Sequence, residues 1–512
     1  MADRFTRRKL LAGAGIGVVG AAGAGIALDR LEDGEDSGTA TAGTDERSHG
    51  PRNVVLIVID SLRADHVGAY GNEVVRTPAI DSLAAEGVLF SRVYPEAMPT
   101  VPMRRTIMTG RRAFPFTGWK AWEGMATRPG WQPIMPAERT IVEDMRDAGF
   151  HTSFVSDNPF LTSADIFETF RARLDSYVKV PGQRGERRPA ETVPLEQAAR
   201  WLPEPMRDEA EIAGVQRYLA NNGRGEHAGQ TAAARVFRTA ARELDRMPAD
   251  RPFFMVVDSF DPHEPWVPPR RFVDMYGDPA YDGPEIATID YRDSGYLTGA
   301  EIEHLQATYK ASVTIMDLWL GTFLDRLRER GLDRDTVIAL VADHGVLVGE
   351  HGWTGKGDYQ LHPELIHVPL IVRHPDGRGA GTTSDYFANT LDLPPTLMAL
   401  AGARPAERFE GTDLSPILDG DRPAAERPFT YGGYGNFCFA TDGRFKLISA
   451  NDRGKHKLYD VAADPGETED VAADNPDVAD ELYAGLVAEI GGEPPPWYTE
   501  DKFDAKPASL PA

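Results

Sequence analysis

Apolar, β-branched runs alternate with amphipathic stretches along most of the chain. Each run has the length of a buried strand, and the stretches between them repeat apolar residues at helical spacing. Strands are predicted at 54–59, 151–156, 252–260 and 337–342, and helices at 77–87, 140–149 and 307–330. This alternation predicts an α/β fold with a large, mostly parallel central sheet flanked by helices.

The pattern changes after about Pro405, where short apolar segments are separated by turns. The segments at 431–440, 442–448 and 457–460 predict a small antiparallel sheet, closed by a helix at 477–490. We therefore predict a main domain at 53–403, a C-terminal subdomain at 404–490 and a loose tail at 491–512. A charged, proline-rich stretch at 180–230 predicts an insertion over the site or a surface excursion.

The first 28 residues have the features of a targeting signal. The run Thr6-Arg7-Arg8-Lys9-Leu10-Leu11 precedes a weakly apolar Gly/Ala stretch and resembles a twin-arginine export signal. A chance arginine pair before a short signal anchor is the alternative, and an uncleaved signal would tether the protein to a membrane. A polar linker follows at 29–52. We expect an exported protein, outside the cytoplasm or at the cell surface.

The net charge and the cysteine content each exclude one feature of the protein. The formal net charge of −24 argues against a nucleic-acid partner. The single cysteine, Cys438, excludes an internal disulfide. Nothing in the sequence indicates the oligomeric state.

Polar residues follow three of the predicted strands: Asp60, then Asp261-Pro262-His263, then Asp343-His344. Because the carboxyl ends of parallel strands meet at one edge of a sheet, we expect these residues to converge. Asp60, Asp343 and His344 together offer oxygen and nitrogen ligands suited to one Ca²⁺, Mn²⁺, Mg²⁺ or Zn²⁺ ion. Taken singly, each is weak evidence, and the alternative role of Asp60 is the N-cap of the next helix.

Two further residues have chemistry suited to such a site. Thr100, between Pro99 and Pro102, offers a hydroxyl that needs a metal or a base to become a nucleophile. Arg104, one helical turn on, can hold Thr100 or an oxyanion. Their alternative roles are a helix cap and a solvated side chain.

Two loop residues are candidates for contacts to an anionic substrate. His263 lies on a proline-stiffened loop, which suits a leaving-group acid or a donor to phosphate or sulfate. Lys356 lies between Gly355 and Gly357, where it can supply charge to an oxyanion. The alternative interpretation is that His263 is a surface loop histidine and Lys356 an ordinary exposed lysine.

As an ordered set, these motifs resemble the sulfatase family of the alkaline phosphatase superfamily. The likeness spans roughly residues 52–490 and rests on Asn53 to Asp60, Pro102 to Arg104, Thr109-Gly110-Arg111, Asp343-His344-Gly345, Gly355-Lys356, Leu365 to Arg373, Asp392 to Thr396 and Leu458-Tyr459-Asp460. It implies an alkaline-phosphatase-like fold and a metal site formed by Asp60, Asp343 and His344 with Thr100 as nucleophile. It also implies that Arg104 braces the nucleophile and that His263 and Lys356 contact the sulfate or phosphate.

The chain departs from the family pattern at three places. The nucleophile position, where sulfatases have a Cys or Ser that is oxidised to formylglycine, carries Thr100, so no formylglycine is expected. The usual Asp-Asp pair is Asp60-Ser61, and the usual Gly-Lys-x-His segment is Ser156-Asp157-Asn158-Pro159. The remaining set looks more like the phosphodiesterase, phosphonate hydrolase and phosphoethanolamine-transferase branches.

We therefore predict a metal-dependent hydrolase of sulfate or phosphate esters that uses a metal-bound Thr100 and acts on a small-molecule or glycan ester. A threonine ester must be cleared by water, which favours phosphoryl esters. The alternatives are a transferase that passes a phosphoryl headgroup through the same Thr100, and a catalytically silent member that binds anionic glycans.

Overall fold

The computed structural model describes residues 52–120, 128–162, 168–183, 188–223 and 225–497. The predicted export signal, the linker up to residue 51 and the tail from 498 lie outside these ranges, and the predicted domain boundaries stay predictions. None of the helices in the described ranges combines the length and the apolar character that a membrane crossing requires.

The strands form a large sheet, a smaller one and a short two-stranded ribbon. In chain order they are β1 Asn53–Ile59, β2 Val88–Tyr94, β3 Ala97–Met98, β4 His151–Ser156, β5 Ser176–Lys179, β6 Phe253–Ser259, β7 Thr336–Ala342, β8 Leu347–Val348, β9 Thr354–Gly355, β10 Leu370–Arg373, β11 Thr382–Asn389, β12 Thr430–Tyr434, β13 Phe437–Thr441, β14 Phe445–Ala450 and β15 His456–Asp460.

The large sheet has eight strands in the order β11-β2-β10-β7-β1-β6-β4-β5. Among these eight, β10 runs opposite to the others, because it pairs antiparallel with both β7 and β2. All seven residues of the central strand β1 are buried, and so are all seven of β6 and of β7. Each large aliphatic side chain buried there contributes about 1.5–3 kcal/mol. These strands are mostly apolar because both faces of the sheet are covered.

The described ranges also contain helices. They are α1 Pro78–Ala85, α2 Thr100–Thr109, α3 Ile141–Asp147, α4 Pro159–Thr162, α5 Glu168–Arg171, α6 Leu195–Ala199, α7 Glu209–Asn222, α8 Ala232–Leu244, α9 Arg270–Val273, α10 Gly299–Glu329, α11 Pro363–Ile366, α12 Leu393–Leu400 and α13 Pro476–Ile490. The longest, α10, packs against α1 and α8, and α8 packs against β6.

The smaller sheet has the order β15-β14-β13-β12-β3 and is antiparallel except where β12 pairs with β3. Helix α13 packs on β13 and β14. Cys438 is buried in this sheet. Strand β3 immediately precedes α2, so the smaller sheet is joined directly to the segment that carries Thr100.

The predicted fold class is confirmed, and the predicted elements are present with shifted ends. The largest difference is α10, which begins at Gly299 rather than at 307. A capping box explains the earlier start: Thr298 accepts from the backbone N–H of Glu301, and the Glu301 carboxylate accepts from the backbone N–H of Thr298.

Candidate active site

Three neighbouring parallel strands bring the polar residues predicted from the sequence to one edge of the sheet. In the paired register Ile59 lies beside Ser259 on one side and Ala342 on the other. Asp60, Phe260 and Asp343 are therefore the first residues after three strand ends that lie side by side. The predicted convergence of the strand ends is present in the structure.

Asp60, Asp343 and His344 form a buried cluster. Their potential ligand atoms all lie within 4.8 Å of one another, and the three side chains have no exposed surface. His344 Nδ1 lies 2.8 Å from the Gly345 carbonyl oxygen, so Nδ1–H donates there and Nε2 is left with its lone pair. Burial is the main cause that lowers the pKa of His344 to about 4, which keeps the ring neutral.

The two carboxylates of this cluster differ in their electrostatics. Burial and the neighbouring Asp343 raise the pKa of Asp60 well above its ordinary value. Burial opposes ionisation of Asp343, but His344 and Arg104 lower its pKa. A divalent cation between the two would remove their repulsion, and Asp60 Oδ2 is a buried oxygen that receives no hydrogen bond. The donor set therefore fits a divalent cation.

Ser61 orients both carboxylates. Its backbone is in the left-handed region, with φ 58°. Its N–H donates to Asp343 Oδ1 at 2.9 Å, and its hydroxyl donates to Asp60 Oδ1 at 2.8 Å. The residue that replaces the second aspartate of the family pattern thus supplies two hydrogen bonds to the cluster.

Thr100 is the first residue of α2 and is buried. Its Oγ1 lies 3.4 Å from His344 Nε2. The hydroxyl therefore stands at the edge of the cluster, which is where the sequence predicts it.

Arg104 lies among three carboxylates. It donates to both oxygens of Asp258, at 2.6 and 3.0 Å, and to Asp343. Its Nη2 is 3.2 Å from Asp60 Oδ2, and its Nη1 donates to the Thr100 carbonyl at 3.1 Å. The guanidinium thereby joins the helix that carries Thr100 to the carboxylate cluster.

His263 and Lys356 are brought together. Lys356 Nζ lies 3.2 Å from His263 Nε2. His263 Nδ1 lies 2.7 Å from the Glu264 carbonyl oxygen, so Nδ1–H donates there and Nε2 accepts from Lys356. Burial is the main cause that lowers the pKa of His263 to about 3. The ring is thus neutral and its Nε2 is occupied, while its role as a leaving-group acid stays a prediction.

The structure adds three residues that were given no role from the sequence. Asp258 is the penultimate residue of β6, whose first five residues are apolar, and a single charged residue in such a strand is a signal that sequence reasoning can use. Glu264 follows His263 directly. Tyr291, whose hydroxyl donates to Glu264, lies in an irregular segment that carries no pattern.

A mostly parallel sheet of this order, with a carboxylate–histidine cluster, a buried hydroxyl and a lysine at its carboxyl edge, defines an α/β ester hydrolase of the alkaline phosphatase kind. The family model "Sulfatase" matches residues 52–403, and the model "N-sulphoglucosamine sulphohydrolase, C-terminal" matches residues 349–490. The chain belongs to the sulfatase family. Its predicted membership and its assignment as an enzyme of the sulfuric ester hydrolase class are confirmed.

Two curated relatives illustrate the range of the similarity. An arylsulfatase of Clostridium perfringens is 24% identical over 445 residues, which cover 81% of this chain and 89% of that protein. The multifunctional alkaline phosphatase superfamily protein PehA of Trinickia caryophylli is 24% identical over 514 residues, covering 87% and 95%.

Solved structures show the same fold. The phosphonate monoester hydrolase of Agrobacterium radiobacter superposes with a TM-score of 0.65 at 22% identity, covering 86% of this chain and 95% of that one. BT4656 in complex with its substrate D-glucosamine-2-N,6-O-disulfate superposes with a TM-score of 0.65 at 19% identity, covering 89% and 100%.

Proposed function

We propose that this protein hydrolyses sulfate or phosphoryl esters of small molecules or glycans, with the Thr100 hydroxyl as nucleophile. The observation that carries the proposal is the position of Thr100 Oγ1, 3.4 Å from His344 Nε2 at the edge of the Asp60–Asp343–His344 cluster. The names of the similar proteins, an arylsulfatase and a phosphonate monoester hydrolase, support both ester classes.

Asp60, Asp343 and His344 would hold one divalent cation, as members of the sulfatase family generally do. A cation bound there supplies positive charge that makes a neighbouring hydroxyl more acidic and offsets charge on the ester oxygens. Among Ca²⁺, Mn²⁺, Mg²⁺ and Zn²⁺, the carboxylate oxygens suit each ion, and the imidazole nitrogen favours Mn²⁺ or Zn²⁺.

The protein's own residues account for the remaining steps. Thr100 loses its hydroxyl proton to solvent and Oγ1 forms a bond to sulfur or phosphorus, while the bond to the leaving oxygen breaks. The leaving oxygen takes a proton from the Lys356 ammonium, which His263 Nε2 holds in place, and the lysine amine then regains a proton from solvent. Water then cleaves the threonine ester and restores the hydroxyl, so ester and water become alcohol and the acid anion. Arg104 holds α2 in place throughout.

The decisive assay compares an aryl sulfate, an aryl phosphodiester and an aryl phosphate monoester as substrates of the full chain, with each divalent cation in turn. Thr100→Val retains the branched shape and removes the hydroxyl, whereas Thr100→Ser retains a hydroxyl. Thr109→Val makes the same substitution in α2, at a residue whose hydroxyl donates to the Arg105 carbonyl.

We expect Thr100→Val to lower kcat/KM by at least about 10³-fold, and Thr100→Ser and Thr109→Val to retain turnover. Acid quenching should trap a sulfo or phosphoryl group on Thr100. Equal turnover by Thr100→Val and the unaltered protein would refute the threonine nucleophile. Absence of turnover on all three esters would favour the transferase or the silent glycan-binding member.

We also propose that the protein is exported through its twin-arginine-like segment. Replacing Arg7 and Arg8 together by Lys preserves the charge, and we expect it to retain the protein in the cytoplasm. Export that is unchanged in this double variant would contradict the proposal.

A further inference from the structure

Glu264 is a buried carboxylate that the proposed steps do not use. One of its oxygens accepts a hydrogen bond from the Tyr291 hydroxyl. The other, Oε2, lies 3.5 Å from Lys356 Nζ and 3.3 Å from His263 Nδ1, and it receives no hydrogen bond. Glu264 therefore stands beside both members of the basic pair.

Tyr291 holds this arrangement from the other side. Lys356 Nζ lies 5.0 Å from the centre of its ring, and the same ring packs on Gly355. A Cβ at Gly355 would lie 2.3 Å from the ring, so the lysine can be this close to Tyr291 only after a residue without a side chain. The ammonium is thus enclosed by the tyrosine ring, the His263 nitrogen and the Glu264 carboxylate.

The charges of the group cancel. His263 is neutral because burial lowers its pKa to about 3. Burial works against ionisation of Glu264, but His263 and Lys356 lower its pKa to about 2. One positive and one negative charge therefore lie together on side chains that are largely buried. A second negative charge on the substrate adds little binding free energy when it lies beside a pair of side chains whose net charge is zero.

We infer that Glu264, held by the Tyr291 hydroxyl, is a specificity-determining residue that positions Lys356 against His263 and offsets its charge, so that the site selects singly charged esters over doubly charged phosphate monoesters. The inference rests on the proposed function of the same site. Sulfate monoesters, phosphodiesters and phosphonate monoesters each carry a single negative charge at neutral pH and form the selected class.

The test measures binding separately from turnover. Glu264→Gln removes the charge and keeps an acceptor for Tyr291, and Tyr291→Phe removes the hydroxyl and keeps the ring. Both are made in the Thr100→Val protein, and phenyl sulfate and phenyl phosphate are titrated calorimetrically at pH 8.5 with Mn²⁺ present. Glu303→Gln, at an exposed residue of α10, is the matched control.

We expect Glu264→Gln to raise the affinity for phenyl phosphate relative to phenyl sulfate at least about tenfold, because a net positive charge then faces the dianion. Tyr291→Phe should shift the ratio in the same direction by less, and Glu303→Gln should leave it within about twofold. In the turnover-competent protein the change should fall on KM more than on kcat, which a merely structural role would not produce.

An unchanged ratio in Glu264→Gln overturns the inference, and so does a failure of both ligands to bind. If Glu264→Gln does not fold, the test rests on Tyr291→Phe. An unchanged ratio of the affinities for phenyl phosphate and phenyl sulfate in that variant also overturns the inference. Failure of the proposed function is a separate result, namely absence of turnover by the unaltered protein.

Discussion

Arg104→Met is expected to destabilise the protein strongly, because three buried carboxylates then lose their shared counter-ion. The guanidinium donates two hydrogen bonds to Asp258 and one to Asp343, and it lies 3.2 Å from Asp60. Removing one partner of a buried ion pair costs about 3–5 kcal/mol. Since Arg104 serves three partners, we expect a loss near the upper end, about 5 kcal/mol.

The assay is urea denaturation in the presence of EDTA, so that no added cation can replace the lost charge. Asp258→Asn in the Arg104→Met background removes the carboxylate that accepted two of the hydrogen bonds. We expect this second substitution to restore about 2 kcal/mol of the free energy of unfolding. The single variant should also gain stability as the pH falls, because its unpaired carboxylates are more readily protonated in the folded state.

Two results would refute this reasoning. A loss below about 1 kcal/mol in Arg104→Met would mean that the carboxylates do not need the guanidinium. A double variant no more stable than the single one would mean that the cost comes from lost packing of the arginine stem, since that loss is common to both proteins.

The remaining predictions concern packing and acid stability. Gly345→Ala places a Cβ 1.9 Å from the Glu364 carbonyl oxygen, and we expect a loss of about 3 kcal/mol or more in urea denaturation; a neutral effect would contradict the close approach of the two segments. Burial lowers the pKa of His362 from 6.5 to about 4, so unfolding is favoured as the pH falls below 6.5. Between pH 7 and 5 this group should cost about 2 kcal/mol. His362→Asn, which keeps a donor for Glu467, should lose less stability over that range, and an equal loss in both proteins would refute the assignment.

The sheet and the cluster could be predicted because each depends on a local pattern. A continuous run of apolar residues predicts a strand that is buried on both faces of the sheet. A polar residue just after such a run lies at the carboxyl edge of the sheet, whatever path the following loop takes. Asp60 and Asp343 follow directly from this rule. Thr100, Arg104 and Lys356 have suitable chemistry in the sequence, but each also has an ordinary alternative role, and the family resemblance was needed to place them at one site.

The partners of these residues could not be predicted, because they depend on contacts between distant segments. Tyr291 is 27 positions from Glu264 and 65 from Lys356, in a stretch without helix or strand, and only the folded loops bring the three together. Arg104 shows the same limit: its contact to Thr100 is local and could be predicted, whereas the three carboxylates around it come from distant segments.

The altered segment Ser156-Asp157-Asn158 allows a final prediction. Asp157 is buried, and its Oδ1 accepts from the Phe260 backbone N–H at 2.8 Å, while its Oδ2 has no partner. Burial first, and then the charge of Asp261, raise the pKa of Asp157 from 3.8 to about 8. A carboxyl whose pKa is raised on folding contributes its full stability below pH 3.8, and that contribution is lost as the pH rises towards 8.

Asp157→Asn should therefore stabilise the protein at neutral pH. The amide keeps the oxygen that accepts from Phe260 and carries no charge to bury, so the linkage cost that it removes is about 4 kcal/mol at pH 7 and about 2 kcal/mol at pH 5. Urea denaturation at both values measures the difference. A variant that is no more stable at pH 7, or a gain that does not shrink at pH 5, would show that Asp157 stays ionised in the fold. In that case a positive partner within the site must hold it, and this segment would take part in the chemistry rather than only support it.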